Sequence, residues 1–230
     1  MFDLRFNTPF TCVVSGVTGS GKTTLIRNLM MYKNENQSIF KTRPIKTFYF
    51  YNTMQPILEE MLSKNFVDEL IQGIPTYEDF VELTSEYKNI GGSCCIIDDS
   101  MVNIDKNLVQ IFTVGSHHLN CSVIFVTQKL FINNDNYRII STNTHYLFIM
   151  ASSRDKLQIM NLARQISPSN TSYILDSFKD ATKTPYSYLL FDFHPLTPDI
   201  LKYRTRIFPH EYPIKLYIEK NHHILRNKYA

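Results

Sequence analysis

No apolar stretch in the 230 residues approaches the roughly 20 that a membrane-crossing helix needs. A membrane-embedded protein is therefore not expected. The opening residues Met1-Phe2-Asp3-Leu4-Arg5 lack the basic-then-apolar shape of a secretory leader, so the chain is expected inside a cell, not secreted. Cysteine is sparse. Its four occurrences, Cys12, Cys94, Cys95 and Cys121, include no Cys-x-x-Cys pair, so a structural zinc is not expected. The first three fall inside predicted strands and the fourth at a strand edge, where a reduced thiol acts as a small hydrophobe. Internal repeats, low-complexity tracts and linkers are also missing, and the chain reads as one domain over residues 1–230, with a core over about 9–208. Charged residues make up 20% and hydrophobic residues 43%, the balance of an ordinary globular protein.

Net charge is only +3, but it is unevenly placed. The segment 201–230 holds Lys202, Arg204, Arg206, Lys215, Lys220, Arg226 and Lys228 against Glu211 and Glu219, which leaves the rest of the chain net acidic. With His210, His222 and His223, this basic segment either meets nucleic acid or an acidic partner, or is a solvated tail.

Glycine is scarce too, seven in all, and three of them fall in one run: Gly16-Val17-Thr18-Gly19-Ser20-Gly21-Lys22-Thr23. An apolar run, 10–14, precedes it and a segment of helical spacing follows from Thr24. Strand, Gly-rich turn, then Gly-Lys-Thr opening a helix is the P-loop in its required context. Glycines let the backbone turn so that consecutive N–H groups face inward and, with the helix N-terminus, form an anion site for phosphates. In that arrangement the Lys22 ammonium bridges the β- and γ-phosphates and the Thr23 hydroxyl ligates Mg²⁺. Gly16, Val17, Thr18, Gly19, Ser20, Gly21, Lys22, Thr23 and Thr24 are the expected contacts of a nucleoside triphosphate.

Further on, aromatic Thr47–Tyr51 reads as a second strand, while Gln55–Leu62 and Val67–Ile71 both show helical spacing. Thr76 is placed to cap a helix whose inner face is Phe80, Leu83 and Tyr87. The run Ser93-Cys94-Cys95-Ile96-Ile97-Asp98-Asp99 has the form of a buried parallel strand with carboxylates emerging at its C-terminal end, a Walker B segment. There Asp98 would hold Mg²⁺ through its water shell, and Asp99 would accept a proton from the attacking water or orient it. A helix is expected over Ile104–Ser116, then a strand over Ser122–Gln128 ending in a polar Thr-Gln. In P-loop ATPases with a strand inserted between the two Walker strands, this polar residue sits beside the γ-phosphate. Gln128 is then a candidate to sense phosphate or orient water. A fifth strand (146–150), two helices (155–165 and 172–182) and a late antiparallel strand (187–193) complete the pattern.

Several stretches recur together in order: the P-loop with Leu25-Ile26-Arg27-Asn28-Leu29, Asp98-Asp99, Gly115-Ser116-His117-His118, and Ser122–Gln128. Asn143-Thr144-His145-Tyr146, Ser153-Arg154-Asp155, Leu162-Ala163-Arg164-Gln165 and Pro185-Tyr186-Ser187-Tyr188-Leu189 follow. From about Pro9 to about Phe208 the chain resembles the genome-packaging ATPases of the FtsK–HerA superfamily. Within it, the likeness is to the poxvirus-type enzymes, as in adintoviruses, Maverick/Polinton elements and virophages. The resemblance implies an α/β, RecA/ASCE-like P-loop NTPase, a three-layer sandwich with a mainly parallel central sheet and extra C-terminal strands. It also implies ATP and Mg²⁺ as cofactors, a homo-oligomeric, usually hexameric ring, and double-stranded DNA and viral capsid proteins as partners at the site of virus assembly. Relatives often carry an arginine near the position of Ser116–His118, suited to a neighbouring subunit's γ-phosphate, and none stands there. Either a histidine there substitutes, or the arginine is Arg138, Arg154 or Arg164; an arginine is preferred because it stays charged, and Arg138 and Arg154 are favoured because they flank the strand after Gln128.

Two other readings are open. A capsid-docking switch without sustained turnover would not need the two carboxylates and Gln128. A P-loop kinase would need an acceptor pocket and an Arg-rich lid, and no such lid is legible after residue 128.

Overall fold

A computed structural model describes residues 3–33, 38–98, 104–152 and 156–219. The chain runs β1 (Thr11–Ser15), α1 (Lys22–Met31), β2 (Lys46–Tyr51), α2 (Pro56–Ser63), β3 (Glu69–Gln72), α3 (Tyr77–Thr84) and β4 (Ser93–Asp98). A helical stretch follows, α4 (Lys106–Gln110) continuing through a π turn (Ile111–Gly115) into α5 (Ser116–His118). Then come β5 (Cys121–Thr127), α6 (Asp135–Thr142), β6 (Tyr146–Met150), α7 (Lys156–Ile166), α8 (Thr171–Ala181), β7 (Tyr188–Asp192), β8 (Tyr203–Thr205) and β9 (Lys215–Tyr217).

Among the described residues these strands form one sheet, in the order β3-β2-β4-β5-β1-β6-β7-β8-β9. The pairings from β3 across to β6 are parallel, and β7, β8 and β9 add on antiparallel. Central strands such as Thr-Cys-Val-Val-Ser and Cys-Ser-Val-Ile-Phe-Val-Thr are buried along their whole length. That follows from a parallel sheet covered on both faces, whose strands read as apolar runs without alternation. Alternate residues feed two cores: Val14, Ile96 and Ile124 on the α1–α2 face, Val13, Cys95 and Phe125 on the face carrying α3, α4, α6, α7 and α8. Burying each such side chain contributes about 1.5–3 kcal/mol against leaving it in water. The sandwich is three-layered, as expected, and all four cysteines are buried and unbridged.

Helix starts follow local chemistry. The Thr76 side chain accepts from Asp79 N at 3.1 Å while Asp79 reaches back to Thr76 N at 3.0 Å, a closed capping box. Asn134 caps α6, its Oδ1 accepting from Asn136 N at 2.8 Å and Tyr137 N at 3.2 Å. One expectation is corrected: within Val67–Ile71, residues from Glu69 onward are strand, not helix, since β3 pairs in parallel with β2 from Phe48↔Glu69 to Tyr51↔Gln72. Apolar residues at 67, 70 and 71 suit either period in so short a run, and the exposed edge of β2 decided it.

The basic C-terminal segment is partly absorbed into the sheet. Arg204 on β8 is buried against Asp192 at 2.6 Å, Lys202 pairs with Asp199 at 2.6 Å, and Lys215 pairs with Asp180. Residues 220–230, with Lys220, Arg226 and Lys228, lie outside the described residues.

Candidate active site

The loop between β1 and α1 is held from its first residue. Gly16 N donates to Thr127 O at 3.2 Å, tying the loop's start to the end of β5, and Ser20 N donates back to Val17 O at 3.1 Å. Gly16 is glycine for want of space: a Cβ there would lie 2.6 Å from Ser20 Oγ and 2.7 Å from Met150 Cβ. Gly21 is glycine for its backbone, with φ at 95°, in the left-handed region. As the residue preceding α1, it has no side chain to cap the helix, and no acidic residue stands in the first turn. The N-terminal N–H groups of α1 thus face the loop with no side-chain oxygen from its cap residue.

Lys22 curls back over this loop. Its ammonium donates to Gly16 O at 2.7 Å and Val17 O at 3.0 Å. Burial pushes its pKa below the ordinary lysine value, while the nearby Asp98 carboxylate pulls the other way. Ser20 Oγ is buried with no hydrogen-bond partner among the described residues. A cation resting on backbone carbonyls, an orphaned hydroxyl and an uncapped helix end are three donor groups converging on one small space.

The sheet brings the other candidates to the same edge. β5 lies between β1 and β4, and the registers Ser15↔Thr127 and Asp98↔Val126 align the C-terminal ends of all three strands. Asp98 ends β4, half-buried, and its Oδ2 accepts from the Tyr49 hydroxyl at 2.7 Å. Burial raises its pKa above the usual carboxylate value, opposed by the Tyr49 hydrogen bond and by Lys22. Gln128 follows β5 directly, half-buried, and the chain beyond it is pinned by Gln158 of α7, whose Oε1 accepts from Leu130 N at 3.1 Å and Phe131 N at 3.3 Å. A cavity of about 770 Å³ opens at this edge, bounded by Val17–Ser20, Gln128, Ser152 and Tyr186.

The family described as Poxvirus A32 protein matches residues 3–192. The chain belongs to that family. It is a viral genome-packaging ATPase. No curated relative matches at the sequence level. Among solved structures it is similar to B204, the DNA-packaging ATPase from Sulfolobus Turreted Icosahedral Virus, at 14% identity over 93% of this chain and 98% of that one, with a TM-score of 0.53. That likeness speaks for the fold. Weaker similarity extends to the flagellar accessory protein FlaH from Methanocaldococcus jannaschii, at 15% identity over 62% of this chain and 71% of that one, with a TM-score of 0.40. Among the described residues no helix is long and apolar enough to cross a membrane.

In this poxvirus A32 family member the structure brings Gly16–Thr23, Asp98 and Gln128 to one sheet edge, with Thr24 exposed on the first turn of α1. Arg138 stands apart. It lies on α6 with its side chain 81% exposed, 3.9 Å from Asp135, and is not part of the cavity wall. Asp99 and Arg154 fall outside the described residues. The sequence reading missed Tyr49 and Gln158. Tyr49 is one aromatic among several in Thr47–Tyr51, and Gln158 is one polar residue on an amphipathic helix, so only the pairing of β2 with β4 and the packing of α7 reveal their contacts. Tyr186 lies within Pro185–Leu189, a stretch that by itself assigns it no role.

Proposed function

We propose that this chain is an ATP-driven motor that moves double-stranded DNA into a viral capsid, working as a homo-oligomeric, hexameric ring. The observation that carries the reading is Lys22: a partly desolvated ammonium, held by two loop carbonyls over an uncapped helix end, within the field of Asp98. Triphosphate oxygens would replace those carbonyls, and loop N–H groups would take the remaining charge. The residues also suit Mg²⁺. The Thr23 hydroxyl would ligate it and the Asp98 carboxylate would hold it through its water shell, since this ion keeps several waters and takes only one or two protein oxygens when phosphates are bound. Mg²⁺ would neutralise charge on the phosphates.

In the hydrolytic step a water oxygen bonds to the γ-phosphorus, the bond to the bridging oxygen breaks, and ADP leaves with that electron pair. Gln128 orients the water, and Asp99 takes its proton or orients it. A neighbouring subunit would supply an arginine, Arg138 or Arg154, to the γ-phosphate. Contacts to DNA would be to phosphates and independent of sequence, so they weaken as salt rises.

Steady-state ATPase activity with and without double-stranded DNA, alongside mass by light scattering, tests the reading. Mg²⁺-dependent hydrolysis by a multimer, stimulated by DNA and reduced at least about a hundredfold in Lys22→Ala, is expected. ATP binding without turnover in every assembly state, with or without DNA, would favour a docking switch instead.

A further inference from the structure

Tyr186 has three properties that rarely coincide. Its backbone sits at φ 64°, in the left-handed region that suits glycine and penalises a bulky side chain. Its side chain is not compensated by burial, for the residue is 68% exposed. Yet it lies directly on the phosphate loop: a Cβ placed on Gly21 would be 3.1 Å from Tyr186 Cδ1 and 3.2 Å from its Cβ. The ring therefore covers the residue that precedes α1 and, together with Val17–Ser20, lines the 770 Å³ cavity. A strained backbone holding an exposed aromatic ring over a binding loop has no stability rationale, and such strain concentrates where a ligand is clamped.

We infer that Tyr186 is the base-stacking platform of the nucleotide site. This rests on the triphosphate being held by Gly16–Thr23. An anion on the uncapped end of α1 leaves its sugar and base to extend along the cavity, whose volume exceeds what the phosphates fill and is in the range for a drug-sized ligand. The aromatic face there is Tyr186, and any planar base can stack on it, because stacking needs a π-face and not a hydrogen-bond pattern. The ligand class is a nucleoside triphosphate recognised at two separate points, phosphate by the loop and base by the ring. Pro185, on the same wall, restricts the backbone just before the platform.

The chain has no tryptophan, so Tyr186→Trp introduces a single reporter at this position. ATP should quench its emission, whereas inorganic tripolyphosphate, which has no base, should bind without that quench. In parallel, Tyr186→Ala and Tyr186→Gly should each weaken ATP binding about tenfold while leaving tripolyphosphate affinity within about twofold. Tyr186→Phe should bind as the unaltered chain does. The glycine variant removes ring and strain together, so its thermal midpoint should equal or exceed that of the unaltered chain, which separates lost stacking from lost folding. Unchanged ATP affinity in both truncated variants would overturn the platform and leave the loop assignment standing. An equal loss for ATP and tripolyphosphate would also overturn it, making Tyr186 a support for the loop. If the unaltered chain binds neither compound, the loop assignment and the platform fall together.

Discussion

The hydroxyl of Tyr49 donates to Asp98 Oδ2 at 2.7 Å, from the neighbouring strand and from the same face of the sheet. Tyr49 pairs with Ile96, two residues before Asp98, so β2 aims a phenol diagonally at the end of β4. Burial raises the phenol's pKa, and the adjacent carboxylate raises it further, so the tyrosine stays a donor at any working pH. Tyr49→Phe should cost about 1 kcal/mol of stability, by denaturant titration. It should also raise the Mg²⁺ concentration needed for half-maximal ATPase activity by about tenfold. The acid limb of the pH–rate profile should move upward, because the hydrogen bond favours the charged carboxylate. An unmoved profile and Mg²⁺ requirement would separate Tyr49 from the function of Asp98.

Gly16→Ala tests the packing of the loop. The added methyl meets Met150 Cβ and Ser20 Oγ inside 3 Å, and a strand-borne Cβ cannot swing away. Relief requires moving the loop off β6. The substitution should lower stability by about 1–3 kcal/mol and weaken ATP binding more than its size suggests. A variant with native affinity would mean that the loop adjusts freely.

Asp192 and Arg204 form an ion pair at 2.6 Å, both side chains 2% exposed, and Arg204 Nε has no hydrogen-bond partner among the described residues. Asp192→Asn should destabilise by about 3 kcal/mol in urea unfolding, since it leaves a buried guanidinium without its counter-charge. The double change Asp192→Asn with Arg204→Met should recover part of that loss. If single and double variants are equally unstable, the pair does not act as a unit.

His145, just before β6, is half-buried, with Thr11 N donating to its Nδ1 at 3.2 Å. Its ring lies 5.0 Å from that of His194 and 5.8 Å from that of His117. Burial first, then the charges of His194 and His117, lower its pKa from 6.5 to about 4. A depressed value favours the folded state while the ring is neutral. That contribution is complete above pH 6.5 and is lost as pH falls through 4. Thermal midpoints should therefore fall between those limits by the equivalent of about 2 kcal/mol, allowing for partial exposure. His145→Asn keeps an acceptor for Thr11 and should flatten that stretch of the curve. His194, also lowered by its own burial, titrates in the same direction, so the difference between the unaltered chain and His145→Asn, not the whole slope, reports His145.

The sequence alone determined the phosphate loop, the strand–turn–helix around it and the buried strands; the layered arrangement of the sheet came only from the family resemblance. Each of the first three rests on local physics: glycine where backbone and neighbours leave no alternative, apolar runs where a strand is covered on both faces, and Thr76 where a helix needs a cap. Asp98 and Gln128 were legible as polar residues ending apolar runs. Tertiary structure decided which side chains meet. Residues 69–72 became strand because β2 had an open edge, and Tyr49 reached Asp98 because β2 pairs with β4 in one register. Gln158 came to hold the chain after Gln128, and Tyr186 to lie on Gly21, across separations of 28 and 165 positions. No local propensity encodes such contacts, because they depend on strand order and on how α7 and the turn before β7 pack against the sheet edge.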